Sequence, residues 1–148
     1  MDRQALEQAL MRLLAAREHT RAELRGKLAS RCAEPQLLEQ VIDELRERGL
    51  QSDGRFAEQY VSSRMRRGFG PLRIRRELQE RGVEAPLLEA SLDEQDAAWF
   101  ELLREIHWRK YGAGLPGDFK ERARRARFLE YRGFPAEMIR RLLWSEEA

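Results

Sequence analysis

Residues 71–92 read PLRIRRELQERGVEAPLLEASL, and the same pattern stands 50 residues earlier, at 21–42, as RAELRGKLASRCAEPQLLEQVI. The shift needs no gap. Leu24 meets Ile74, Leu28 meets Leu78, Arg31 meets Arg81, Leu37 and Leu38 meet Leu87 and Leu88, and Ile42 meets Leu92. The register extends backwards, pairing Leu6 with Phe56 and Leu10 with Tyr60. A shift of 51 carries part of the pattern onto a third copy: Leu78 meets Leu129, Arg81-Gly82-Val83 meets Arg132-Gly133-Phe134, and Leu88 meets Ile139. The first third of that copy is interrupted by an insertion, YGAGLPGD, at 111–118. Self-similarity at a fixed period marks a repeat architecture, in which units bury each other's flanks.

Each copy reads as three helices. In the first, Leu6, Leu10, Leu13 and Leu14 share one face of a helix over about 4–17. His19-Thr20 breaks it, and Thr20 with Glu23 forms a capping box that opens a helix over about 21–31. Pro35 starts the third helix, with Leu37, Leu38, Val41, Ile42 and Leu45 inward, and Gly49 stops it. The second copy predicts helices over about 53–67, over 71–81 behind the turn Gly68-Phe69-Gly70-Pro71, and from Pro86 onwards. The third predicts helices over about 95–110 and 119–132, the latter opened by an Asp118/Glu121 capping box, and a last one from Pro135. The expected fold is all-α, an elongated tandem array of three three-helix repeats at 1–50, 51–94 and 95–148.

Composition agrees. Leu, Arg, Glu and Ala are strong helix formers, and a charged fraction of 36% suits amphipathic helices with solvated outer faces. The single cysteine, Cys32, has no disulfide partner and reads as a helix-end filler, pointing to a reducing, cytoplasmic setting. No signal peptide or membrane-spanning run is evident.

The net charge of +2 conceals a pattern. Residues 64–83 hold seven arginines against Glu77 and Glu80, and 84–101 hold six acidic residues and no basic one. Residues 102–132 hold nine basic residues against four acidic. Catalytic chemistry is missing from the sequence. There is no HExxH, CxxC or phosphate-binding glycine loop; Gly68-Phe69-Gly70 lacks the strand and the lysine such a loop needs. His19 and His107 have no ligands at metal spacing, so no metal or cofactor is expected. The arginines are the better candidates, since guanidinium forks suit phosphates and carboxylates alike. Arg64, Arg66, Arg67, Arg73, Arg75 and Arg76 gather around the turn shaped by Gly68, Gly70 and Pro71. Lys120, Arg122, Arg124 and Arg125 form a second basic group. The plainer alternative is a solvated face, with Arg73–Glu77 and Arg76–Glu80 as intrahelical pairs.

Three stretches resemble signatures of the RecX family: LMRLLAAREHTRAELRGKL (10–28), LRERGLQSDGRFAEQYVSSR (45–64) and GFGPLRIRRELQERGV (68–83). Departures are modest: Cys32 stands where a small turn residue is usual, and Gly54 replaces a more polar one. The resemblance implies a non-enzymatic regulator of homologous recombination and the SOS response. Such a regulator lies along the groove of the RecA–DNA filament and depresses its ATP hydrolysis, strand exchange and co-protease activity. It also implies a monomer whose partner is the RecA filament and possible contact with single- or double-stranded DNA. The competing reading is a helical module that binds nucleic acid directly, because three-helix units with a short turn resemble helix-turn-helix domains.

Overall fold

A computed structural model describes residues 1–144. The last four residues of the expected third repeat, including Glu146 and Glu147, lie outside the described residues. Among those described, nine α-helices and no strand are present. They are α1 (Arg3–Ala16), α2 (Arg21–Leu28), α3 (Pro35–Glu47), α4 (Asp53–Arg66), α5 (Pro71–Glu80), α6 (Ala85–Ser91), α7 (Ala97–Tyr111), α8 (Phe119–Tyr131) and α9 (Ala136–Leu143). A single 3₁₀ turn, Ala29–Arg31, extends α2. The recurring prolines hold slightly different stations: Pro35 is the first residue of α3, Pro86 the second of α6, and Pro135 the N-cap of α9. All three place proline's missing amide where a helix start leaves that amide unpaired anyway.

The chain forms two compact units. The first comprises residues 1–60 and 78–91, the second residues 61–77 and 92–148. In the first, Leu6, Leu10, Leu24, Leu28, Leu38 and Ile42 are buried together, one apolar stripe from each of α1, α2 and α3. The capping box opening α2 is complete. Thr20 Oγ1 accepts from the Glu23 amide at 3.0 Å, and Glu23 Oε1 accepts from the Thr20 amide at 2.9 Å. The second unit is built on Leu103, Ile106, Leu129, Phe134, Ile139 and Leu143. Its cap at Asp118 is half a box: Asp118 accepts from the Glu121 amide at 2.7 Å, while the Glu121 carboxylate lies with Arg124 and Arg125. In α7, Trp99 is buried but Trp108 is 61% exposed. At about 100° per residue, nine residues place Trp108 half a turn from Trp99.

Both histidines are buried. His19 Nε2 lies 3.0 Å from the Lys27 ammonium and Nδ1 lies 3.0 Å from the Arg17 carbonyl. An ammonium only donates, so Nε2 accepts and Nδ1 carries the proton. His107 Nε2 lies 3.1 Å from Arg125 Nη1 and accepts in the same way. Burial first, and then the charges of Arg17 and Lys27, hold His19 below its ordinary value, although the Arg17 carbonyl works in the opposite direction. Burial and Arg125 do the same for His107. The unfolded chain takes up protons near 6.5 that the folded chain refuses. Stability is therefore full above that pH and falls as pH drops through it. The melting temperature is expected to decline between about pH 7.5 and about pH 5.5. A His19→Gln/His107→Gln variant should show a shallower slope in thermal scans. A slope unchanged by the double substitution would refute the assignment.

Candidate functional site

The turn between α4 and α5 is where the basic side chains converge. The chain leaves α4 by hydrogen bonds from the Gly68 amide to Met65 O (2.9 Å) and from the Phe69 amide to Arg64 O (3.1 Å). Gly68 adopts φ +83°, and a Cβ there would stand 2.4 Å from Ile106 Cδ1. Gly70 is needed for a different reason. Its φ is not positive, but a Cβ would lie 2.5 Å from the carbonyl carbon and oxygen of Gly133. The turn docks backbone to backbone on the turn between α8 and α9: the Gly70 amide donates to Arg132 O (2.8 Å) and the Leu72 amide to Gly133 O (3.0 Å). Pro71 is buried and opens α5.

Phe69 is the centre of the arrangement. The guanidiniums of Arg64, Arg73 and Arg132 lie 3.9, 4.4 and 4.4 Å from its ring centroid. Arg64 is held by Glu77 through a two-pronged contact, Nε at 3.0 Å and Nη2 at 2.8 Å. Arg73 reaches the same carboxylate only at 3.6 Å, beyond hydrogen-bond distance, and its Nη1 donates to Tyr131 O at 3.3 Å. Arg75 turns to Glu94 at 2.5 Å. Arg66, Arg67 and Arg76 are exposed, and Arg66 Nη1 donates to Ser62 Oγ at 2.7 Å. The six arginines expected around the turn are thus on α4, the turn and α5 as expected, but they divide into half-buried members and exposed ones.

The second basic group divides more sharply. Lys120 and Arg124 are exposed, with Arg124 3.2 Å from Glu121. Arg122 and Arg125 are turned inward to hold the inserted 112–118 loop. Arg125 Nη1 donates to Gly114 O at 2.8 Å and Arg122 Nη2 reaches Pro116 O at 3.5 Å. Arg125 is completed by Glu121 and by the Tyr111 ring at 4.6 Å. Phe69, Tyr131 and Arg132 are site residues that the sequence alone does not single out. A signal for Arg132 is nonetheless present in the repeated Arg-Gly-Val and Arg-Gly-Phe triplets.

No helix among the described residues is long and apolar enough to cross a membrane. The architecture defines a class: a tandem array of three-helix domains. Family models describing the first, second and third three-helix domains of RecX match residues 5–45, 52–92 and 96–143. The chain is 49% identical over 139 residues to "Regulatory protein RecX" of Pseudomonas syringae pv. tomato, covering 94% of this chain and 90% of that one. It is 44% identical over 137 residues to the protein of the same name from Halorhodospira halophila, covering 93% and 85%. The crystal structure of RecX from Lactobacillus salivarius superposes with a TM-score of 0.77 at 20% identity, covering 96% and 94% of the two chains. The chain belongs to the RecX family of regulatory proteins.

Proposed function

We propose that this chain binds the RecA–DNA filament and lowers its recombinase, ATPase and co-protease activities, without catalysing a reaction of its own. The observation that carries the reading is that all three RecX domains are matched, in order, along one chain. The contact surface is assigned to Arg64, Arg66, Arg67, Arg73, Arg75 and Arg76 around the 68–71 turn, with Lys120, Arg122, Arg124 and Arg125 as a second group. Within the second group, exposed Lys120 and Arg124 are the members available to a partner, whereas Arg122 and Arg125 support the loop beside them. The protein acts as a cytoplasmic monomer and needs no cofactor.

The test is single-stranded-DNA-dependent ATP hydrolysis by RecA, measured with increasing amounts of this chain. Hydrolysis and filament length should both fall at sub-stoichiometric or comparable concentrations, and the chain alone should show no turnover. Unchanged hydrolysis and filament length at saturation would sink the reading.

A further inference from the structure

The insertion that interrupts the third repeat has no counterpart in the other two, and it emerges as the loop 112–118 between α7 and α8. The loop is an addition to the fold rather than part of its core. Leu103, Ile106, Leu129, Phe134, Ile139 and Leu143 come from α7, α8, α9 and the turn before α9. The Gly112 amide donates to Trp108 O at 2.8 Å and closes α7, but residues 113–117 make no backbone–backbone hydrogen bond. Pro116 is buried, while the rest of the loop is exposed. Two guanidiniums hold its carbonyls. Arg122 Nη2 reaches Pro116 O at 3.5 Å, the limit of a hydrogen bond, whereas Arg125 Nη1 donates to Gly114 O at 2.8 Å. Arg125 is therefore the principal polar tether of the loop.

That tether is shared with a titratable group. Arg125 Nη1 carries two hydrogens, and its second acceptor is His107 Nε2, 3.1 Å away. His107 is buried and the Arg125 side chain is only 13% exposed, so solvent screens this contact poorly. A neutral imidazole accepts the hydrogen. An imidazolium has no lone pair to accept it and sets a positive charge against the guanidinium. The surrounding groups do not supply a spare negative charge. On α8, Glu121 is already shared by Arg124 and Arg125. On α7, the Tyr111 ring lies 5.3 Å from the His107 ring, and Glu101 and Glu105 pair with Arg104 and Arg109. Arg141 of α9 lines the same cleft as His107 and is positive, and α4 brings the uncharged Met65. Burial, and then Arg125, favour the neutral ring accordingly. Arginine does not give up its proton, so His107 is the member that changes state.

We propose that His107 and Arg125 form a proton-operated latch on the 112–118 loop, closed while His107 is neutral and open once His107 takes up a proton. Protonation breaks the bond between Nη1 and Nε2. Repulsion then turns the guanidinium towards Glu121, and Gly114 O loses its donor. The loop is free to move without unfolding the unit, because none of its residues belongs to the core. The latch is closed above the midpoint of His107 and opens as pH falls through it. Its movement has a consequence for the surface. Gly112, Ala113 and Leu115 line an open cleft together with His107, Trp108 and Leu142. Opening the latch shifts that wall, so the shape of the cleft follows pH. The device is independent of the filament reading, because it requires neither RecA nor DNA.

The experiment is a two-dimensional proton–nitrogen NMR titration of the full chain from about pH 7.5 to about pH 5.0, a range in which ordinary carboxylates stay ionised. The His107 ring is followed beside the loop amides. The Leu115 amide shares a peptide unit with the Gly114 carbonyl and should shift most. Its midpoint should be that of the His107 ring and lie below about 6.5. Order parameters of residues 113–117 should fall to below about 0.6 over the same step, while those of α7 and α8 stay near about 0.85. His107→Gln keeps an acceptor for Arg125 at every pH, so its loop should not titrate. Arg125→Met removes the tether, so its loop should be mobile already at about pH 7.5. His19→Gln, in the other unit, should leave the loop titration unchanged. Melting curves check that each variant folds. Loop amides that do not titrate, that titrate with a midpoint other than that of His107, or that still titrate in His107→Gln overturn the proposal. A His107 ring that stays neutral until the whole chain unfolds also overturns it. Should His107→Gln fail to fold, the midpoints in the wild type and the loop of Arg125→Met decide.

Discussion

Replacing Gly70 by alanine is expected to destabilise the protein by about 2–5 kcal/mol, as two backbone hydrogen bonds break at a joint where Gly70 and Gly133 are buried. The added Cβ would meet Gly133 C and O at 2.5 Å and Phe134 N at 2.7 Å. All three atoms are backbone, so no side-chain rotation relieves the overlap, and the two turns must move apart. That movement breaks the bonds from the Gly70 amide to Arg132 O and from the Leu72 amide to Gly133 O. It also pulls on Phe134, which is 1% exposed in the core of the second unit. Gly26 supplies the control with opposite sign. It sits within α2, is exposed, and has nothing within 4 Å of an added Cβ. Gly26→Ala should stabilise by about 0.5–1 kcal/mol, because alanine gives up less backbone freedom on entering a helix. Urea denaturation of both variants measures the contrast. A Gly70→Ala midpoint close to wild type would mean that the turns do not dock as described.

Much of this fold is legible in the sequence because helix periodicity and helix punctuation agree. In the first repeat Leu6, Leu10, Leu24, Leu28, Leu38, Val41, Ile42 and Leu45 are buried as expected, while Leu13, Leu14 and Leu37, expected on the same faces, are half-buried against that core. The spacing of these residues over 3–4 positions leaves only one face available to the core. At repeat edges the same reasoning is weaker. Leu87, paired in sequence with half-buried Leu37, is 38% exposed. An apolar residue at the margin of a stripe is buried only if a neighbouring element covers it, which periodicity does not report.

The grouping into compact units is not legible in the same way. Residues 78–91 cluster with 1–60, and 61–77 with 92–148. Within each unit the chain comes close to itself at a glycine, Gly82 against Ala22 and Gly70 against Gly133, and a glycine in sequence does not say whether it serves a positive φ, as at Gly68, or a close approach, as at Gly70. Side-chain roles within the basic blocks are hidden for a related reason. Spacing puts Arg122 and Arg125 on a shared stripe, yet both hold carbonyls of the inserted loop, whose path spacing does not encode.

The strongest functional expectation concerns the joint charge reversal of Arg73 and Arg76. Stability should survive it. Arg73→Glu gives Arg132 a carboxylate neighbour, as Glu23 is for Arg81, and this offsets the loss of the 3.6 Å approach to Glu77, of the 3.3 Å hydrogen bond to Tyr131 O and of the contacts with the Phe69 and Tyr131 rings. Arg76 is exposed on α5, where charge changes alter stability by about 0–1 kcal/mol. Filament binding should not survive it. Each reversal exchanges a positive for a negative charge at the centre of the proposed contact surface. Replacing attraction by repulsion there is expected to raise the concentration for half-inhibition of RecA ATP hydrolysis by at least about tenfold, a cost of about 1.4 kcal/mol or more. Raising the salt concentration should weaken the wild type towards the variant, because the contact is charge-driven. Circular dichroism melts run beside the ATPase assay separate the outcomes. An unfolded variant would make these arginines structural. A folded variant with full inhibition would move the contact to the second basic group, where exposed Lys120 and Arg124 become the pair to reverse next.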